Sequence, residues 1–261
     1  MIISLILIFC ISTIIHPEPA PPFPIKLTQP DGTKFMARLQ GKEYYQEVSY
    51  GNFSFSAGID DITDWTLAPH PYDYYCNGQS GMGDWPQNSQ GLLVDLAIKL
   101  DRIVDFSRYD TDHDGYVDAI TIIVEGGMDG SGDTFLAHAW RLNNHRIQLD
   151  DVWIDMFNLV YEQLNGQLRP IGTFCHEYGH ILGLPDLYDK DRSSAGIGYW
   201  GLMAYGGWNT QTRPAHLSAW SKALLGWVSP RNVTENVRGQ DILNVEQNPE
   251  VYRLWTNGDT G

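Results

Sequence analysis

The segment His176-Glu177-Tyr178-Gly179-His180-Ile181-Leu182-Gly183-Leu184-Pro185-Asp186 constrains this chain more tightly than any other stretch. Residues four apart in an α-helix share a face, so His176 and His180 can aim at one ion while Glu177 faces the open coordination side. Gly183 lies three residues after His180, where a positive φ can end the helix and turn the chain back. Asp186 then falls where a third ligand is needed, because a catalytic zinc takes three protein ligands and keeps one position open. Asp189 or a water is the alternative occupant of that place. Neutral imidazoles hold Zn²⁺ without cancelling its charge, which lets the ion lower the pKa of water to about 7. In this layout Glu177 is the general base that takes the proton of the attacking water and passes it to a leaving amine. The spacing points to a zinc-dependent hydrolase. An amphipathic surface helix with two structural histidines would share the first half of the motif, but it has no use for Gly183 and Asp186.

A second constellation runs from Asp110 to Asp118. Carboxylates occupy its first, third and fifth places, Gly115 permits a sharp turn, and Asp118 offers an oxygen at the ninth. Asp110, Asp112, Asp114 and Asp118 are therefore the expected calcium ligands, with His113 pointing outward. The twelfth place, where an EF-hand carries a bidentate Glu, holds Thr121, so the ligand set is completed differently or binds weakly. A solvated turn is the plain alternative.

Beyond these motifs stand Gly198-Tyr199-Trp200-Gly201-Leu202-Met203, Pro214-Ala215-His216-Leu217-Ser218-Ala219-Trp220, Asp105-Phe106-Ser107-Arg108-Tyr109-Asp110 and Thr28-Gln29-Pro30-Asp31-Gly32. Together with His176 to Asp189 they resemble the immune inhibitor A family of secreted metalloproteases, which is metzincin-like, and the likeness covers nearly the whole chain after the leader. The resemblance implies an α/β (α+β) metzincin-like zinc peptidase domain, a twisted sheet with an active-site helix and the zinc in a cleft below the sheet. It also implies that Met203 is the Met-turn residue, a floor under the ligands that does not touch the metal. As a lone Met in an apolar patch, Met203 reads as core filler, which is physically the same role. Tyr205, two residues after Met203, has a spacing similar to that of metzincins in which a Tyr reaches the zinc or the reaction intermediate; an ordinary packed Tyr is the competing reading. Two features depart from the family pattern. Many metzincins place His at the third ligand position, and Asp186 would donate negative charge and leave the bound water less acidic. A longer propeptide is also expected, whereas Gly41 to Tyr45 runs almost directly into the catalytic-like segment from Tyr50. Thr256 to Gly261 stops where further β-structure is expected, as in a fragment or a shortened relative.

Composition supports a secreted enzyme. A chain of 261 residues with 43% hydrophobic content can bury one full core with a small appendage. Its net charge of −15 repels nucleic acid and anionic membrane surfaces, which leaves protein or peptide substrates as the partners. The apolar run Ile2 to Ile15 is too short to span a bilayer comfortably and reads as a signal-peptide core, with Glu18-Pro19-Ala20 a poor cleavage site. Leader removal would take Cys10 with it. Cys76 and Cys175 could then pair in an oxidising compartment, although Cys175 beside His176 reads slightly better as a small buried hydrophobe. Asn52-Phe53-Ser54 and Asn232-Val233-Thr234 are sequons if the source glycosylates.

The expected organisation is a signal peptide over 1–16, a Pro-rich tether and propeptide-like remnant over 17–45, a catalytic domain over 46–230, and the start of a C-terminal β region over 231–261. Within it the apolar spacing predicts a helix from Leu92 to Phe106, and the β-branched run Ala119 to Val124 predicts a buried strand. A helix from about Ile171 would carry the motif and another would follow Pro214 from Ala215 to Trp227, with an irregular Gly- and Trp-rich loop over Ser193 to Thr212 between them. His138 and His216 read as structural. The overall expectation is a secreted zinc endopeptidase that also holds calcium. The contrasting class is a non-catalytic secreted binding or adhesion domain with a structural zinc, which loss of Glu177 would have favoured. A zinc peptidase with a third-ligand Glu on a later helix finds no acidic residue between Ala215 and Trp227.

Overall fold

In this computed structural model the described residues are 66–254 apart from 130, 165–166, 170, 210–212, 234–237 and 244–247, preceded by the segments 2–7, 25–28, 34–40, 47–50, 53–56 and 61–62. The architecture is mixed α/β. Strand β1 (Ile2–Leu7) is followed by a four-stranded antiparallel sheet of β2 (Ile25–Thr28), β3 (Lys34–Gln40), β4 (Glu47–Tyr50) and β5 (Phe53–Ser56). Two short strands, β6 (Asp61–Ile62) and β7 (Thr66–Leu67), lead into helices α1 (Tyr72–Cys76) and α2 (Ser89–Leu100). Then come β8 (Ile120–Gly127), β9 (His138–Arg141), a hairpin of β10 (Ile147–Leu149) and β11 (Val152–Ile154), the long β12 (Met156–Leu164) and β13 (Gln167–Leu168). Helix α3 (Ile171–Ile181) carries the histidine motif, and α4 (Ala219–Leu224) precedes the parallel pair β14 (Arg231–Val233) and β15 (Tyr252–Leu254).

The main sheet runs β13-β12-β8-β1-β6, with β7 also on β1 and β9 also on β12. Strands β8 and β12 are parallel, and their register sets Ile120 beside Phe157, Ile122 beside Leu159 and Val124 beside Tyr161. Successive strand side chains alternate faces, so these six share one, and all are buried in a core with Leu92, Leu93, Leu96 and Leu100 of α2. Burying a Leu or Ile side chain contributes about 1.5–3 kcal/mol. This layer holds β12 rigidly, and β12 positions both β9 and α3, which pack against it.

The expected helix from Leu92 to Phe106 is shorter at its end and longer at its start. The Asn88 side chain caps it by accepting from the Gly91 N–H at 2.9 Å, and α2 stops at Leu100. Ile103, counted in the apolar stripe, is exposed. The helix expected from Ala215 begins four residues later, because the Ser218 hydroxyl caps it by accepting from the Ser221 N–H; Pro214 to Leu217 instead run alongside the Gly-rich loop, with the Leu202 N–H donating to the His216 carbonyl.

Ile2–Leu7, read above within a leader, takes a strand position between β8 and the short strands β6 and β7. A run of aliphatic side chains broken only by Ser4 suits a signal-peptide core and a central strand alike. Residues 8–24, with most of the Pro-rich tether, lie outside those described, as does the Asn52 sequon position. Among the described residues no helix is long and apolar enough to cross a membrane. Cys76 and Cys175 are free, and burial pushes the Cys76 thiol up to about 12 and the Cys175 thiol up to about 11.

Candidate functional site

Helix α3 places His176 and His180 one turn apart, their rings 5.0 Å between centroids and perpendicular. Gly183 ends the helix in the left-handed region at φ +87. The Leu184 N–H then bonds back to the Gly179 carbonyl and the Gly183 N–H to the His180 carbonyl, which is how an αL terminus satisfies a helix's last acceptors. The reversal carries Asp186 back to the helix. Its Oδ1 lies 3.2 Å from His176 Nε2 and 3.1 Å from His180 Nε2. Asp189 is turned elsewhere, its carboxylate accepting from Ser193 and Ser194.

The proton positions follow from the partners. A backbone carbonyl can only accept, so His176 Nδ1 donates to the Leu202 carbonyl at 2.9 Å and His180 Nδ1 donates to the Leu184 carbonyl at 2.8 Å. In the neutral imidazoles both Nε2 atoms are then bare lone pairs. Asp186 Oδ1 is buried and has no hydrogen-bond donor. Three electron pairs therefore converge on one point. Ligand atoms ~2.0–2.1 Å from a tetrahedral zinc stand about 3.3 Å apart, close to the separations here.

The electrostatics agree. Burial raises the Asp186 pKa, but His176 and His180 outweigh it and hold the carboxyl well below the usual range. Burial lowers the His180 pKa, but Asp186 and the Leu184 carbonyl outweigh that and raise it. The trio attracts positive charge. Glu177, buried to 6% exposure beside it, has its pKa raised by desolvation, offset in part by His176, His180 and Arg169.

An open cleft of about 550 Å³ fronts these residues, walled by the β9 edge from Leu136 to Arg141, by Met156, and by Tyr188. His138 belongs to that wall yet is buried, tied through Nε2 to Ser89 Oγ and through Nδ1 to the Leu136 carbonyl, both at 2.8 Å. Met203 is fully buried, and a Cβ on Gly179 would overlap its Sδ. Its carbonyl accepts from the Leu187 N–H at 2.7 Å, so the loop bearing Asp186 is tied to the Met203 backbone. Tyr205 does not wall the cleft. It stacks on Tyr188, centroids 6.1 Å apart, and leans on Tyr199.

Tyr188 was not among the residues read from sequence, and it lines the cleft with its ring nearly parallel to that of His176, centroids 6.3 Å apart. No spacing rule marks a Tyr two residues beyond Asp186. Nor could sequence reveal that Lys190 reaches Asp186 Oδ2 at 3.4 Å.

In the acidic loop, Asp110, Asp112 and Asp118 bring ligand atoms within 4.8 Å of one another. His113 (φ 60) and Gly115 (φ +87) make the turn, and the Asp110 carboxylate accepts the N–H groups of Asp114 and Gly115. Burial raises the Asp118 pKa, against two hydrogen bonds from Thr111. Asp114 stands apart: its Oδ1 accepts from the Tyr116 N–H.

Comparison with known proteins bears on the family of the chain. The catalytic domain described as immune inhibitor A peptidase M6 matches residues 24–229. The chain belongs to this family. It is 26% identical over 272 residues to the pre-pro-metalloprotease PrtV of Vibrio cholerae serotype O1, covering 89% of this chain and 28% of that protein. It is 28% identical over 200 residues to immune inhibitor A of Bacillus thuringiensis subsp. alesti, covering 64% of this chain and 28% of that protein. The chain thus spans about 28% of the length of these relatives. Membership in the immune inhibitor A peptidase family implies a metal. The residues present fit one: two bare imidazole nitrogens and an orphaned buried carboxylate oxygen are a donor set for zinc.

Proposed function

We propose that this chain is a secreted zinc-dependent endopeptidase with a metzincin-like catalytic domain. The observation that carries the reading is the convergence of His176 Nε2, His180 Nε2 and Asp186 Oδ1 on one point, with both Nδ1 atoms occupied by backbone carbonyls. These three residues would hold the ion, which when bound supplies Lewis acidity that acidifies water and polarises a peptide carbonyl. Glu177 faces the same cleft, and its raised pKa suits a group that takes a proton from the attacking water and returns it to the leaving amine. Met203 supports the histidines from below through Gly179, and Tyr205 belongs to the aromatic wall behind Tyr188. The open cleft admits an extended chain alongside the β9 edge, as peptide substrates require. The extracellular location rests on the family resemblance and the apolar head of the sequence. The loop at Asp110, Asp112 and Asp118 is assigned to calcium as a stabilising ion, with Asp114 at its margin.

The test is metal content combined with hydrolysis of an unstructured protein. Purified protein should carry one zinc per chain and cleave, lose cleavage on chelation, and regain it with zinc. Stoichiometric zinc with no cleavage of any unfolded substrate would favour the non-catalytic binding domain.

A further inference from the structure

We infer that the cleft selects peptides carrying an acidic side chain near the bond to be cut, and that Arg141, at the end of the β9 edge, is the specificity-determining residue that reads it. The inference deepens the peptidase reading above and rests on it. Charges on the cleft wall are sorted by depth. Its two acids lie deep: Glu177 is 6% exposed and the Asp186 side chain 11%. The two charged side chains of the wall that reach solvent are both cations, Arg141 at 54% and Lys190 at 76%. In a chain of 17 Lys and Arg against 32 Asp and Glu, that is the reverse of the average surface. A cleft walled by one sign of exposed charge concentrates ligands of the other. The excess acid on the rest of the surface acts weakly there, since physiological salt screens it within about 8 Å.

Arg141 is held in place, as a residue that reads one side chain must be. Its Nη1 donates to Asp155 Oδ2 at 3.0 Å, and Asp155 is itself buried, with Oδ1 accepting from the Asn143 N–H at 2.9 Å. The Arg141 carbonyl accepts from Gln90 Nε2 at 2.6 Å, so main chain and side chain are both fixed where β9 meets β12, opposite Met156. A guanidinium carries five N–H donors in a rigid fork, and among the described residues Asp155 takes one of them. The exposed edge is open to a second carboxylate, and the charge-assisted bond formed there is stronger than one between neutral groups. Lys190 adds charge without a fixed position. Its ammonium lies 3.4 Å from Asp186 Oδ2 at the end of a mostly exposed side chain, so it attracts an acid without orienting it.

The test walks one Glu along a set of quenched fluorogenic peptides, with Gln at the same place in a matched set. Wild type should cleave the Glu peptide about 3–10-fold better in kcat/KM at one position, and Arg141→Gln should bring that ratio close to one. Lys190→Gln should lower it by less. Zinc content and melting temperature, measured alongside, separate a lost contact from a damaged site, because damage lowers cleavage of both peptides together. Should Arg141→Gln not fold, for want of a partner to the buried Asp155, Arg141→Gln with Asp155→Asn removes both charges at once. Peptide affinity for Glu177→Gln reads the same preference without cleavage. Affinity for acidic peptides that depends on Arg141, in a wild type that cleaves none, would overturn the peptidase reading and uphold the role of Arg141. A Glu to Gln ratio of one at every position, or a preference that survives Arg141→Gln, would overturn this proposal and leave the peptidase reading standing.

Discussion

His176 Nδ1 donates to the carbonyl of Leu202 at 2.9 Å, so the residue immediately before Met203 sets the tautomer of an imidazole proposed to hold the metal. One residue on, the Met203 carbonyl holds the Leu187 N–H, and its sulfur lies against Gly179 between the two histidines. The Met203 turn therefore touches the helix, one imidazole and the loop of Asp186 at once. Such ties from outside the ligand set orient it and raise ligand basicity. Coupling of this kind makes the site sensitive to residues that never approach the metal.

Glu177→Gln should retain zinc and lose cleavage. The side chain keeps its shape in the cleft but cannot accept a proton, and positioned proton transfer contributes about 10²–10⁴-fold. Zinc content and turnover, measured on one preparation, decide it: cleavage at the wild-type rate would remove Glu177 from its role.

Gly179→Ala should destabilise the protein although Ala is the better helix former. The added Cβ meets Met203 Sδ in a fully buried position, and overpacking of this kind costs about 1–3 kcal/mol, against about 1 kcal/mol gained in helix propensity. The melting temperature should fall by about 2–4 °C per kcal/mol of net loss. Pairing it with Met203→Ala should recover part of the clash, giving a double variant more stable than the sum of the two losses. A melting temperature at or above wild type in Gly179→Ala alone would contradict the contact.

Calcium should stabilise the protein through Asp110, Asp112 and Asp118. A ligand that binds only the folded state adds about 2.7 kcal/mol at 100 times its Kd. Chelation with a calcium-selective agent should lower the melting temperature of the wild type and not that of Asp110→Asn. Equal melting with and without calcium would reduce the loop to a turn.

Much of the site was legible because its information is local. His176, Glu177 and His180 are related by helical period, and Gly183 announces the αL turn that the structure contains at φ +87. The strand after the acidic loop was legible in its β-branched run, which β8 extends to Gly127. What was not legible depends on partners distant in sequence. Leu202 reaches His176 across 26 positions with a carbonyl that every residue possesses, so its side chain carries no signal. Tyr205 drew attention by its spacing from Met203, while Tyr188, which lines the cleft beside His176, had no spacing to mark it. Asp114 fitted the alternating pattern, but it is not in the cluster that Asp110, Asp112 and Asp118 form. At α4, Pro214 signalled a helix start but the Ser218 cap set it four residues on.

Stability should fall as pH drops below about 6.5, in part through His138. Burial lowers its pKa from 6.5 to about 4, so the unfolded chain takes up a proton that the folded chain refuses. The contribution is fully present above 6.5 and is lost as pH falls towards 4, an effect of about 3 kcal/mol at its limit. Denaturation between pH 7 and pH 4.5 should show a shallower decline for His138→Gln than for wild type, and matching slopes would mean that His138 protonates freely in the folded state.

Asp186 is the residue on which the metal assignment turns. Its Oδ1 stands within 3.2 Å of both Nε2 atoms, while Asp189 Oδ2 accepts from Ser193 and Ser194 and its Oδ1 from the Asp191 N–H. Asp186→Ala leaves two imidazoles, one ligand short of the usual catalytic zinc, so zinc affinity and cleavage should both collapse. Asp186→Asn keeps the shape and an oxygen but not the charge, and should bind zinc more weakly than wild type yet more tightly than Ala. Asp186→His supplies a third neutral ligand, and where it binds zinc the pH profile of cleavage should move to lower pH, because a third imidazole leaves more of the ion's charge to acidify water. Asp189→Ala is the control and should bind zinc as wild type does. If instead Asp189→Ala lost the metal and Asp186→Ala kept it at wild-type affinity, the third ligand would be Asp189, and the loop after Gly183 would have to close differently around the ion.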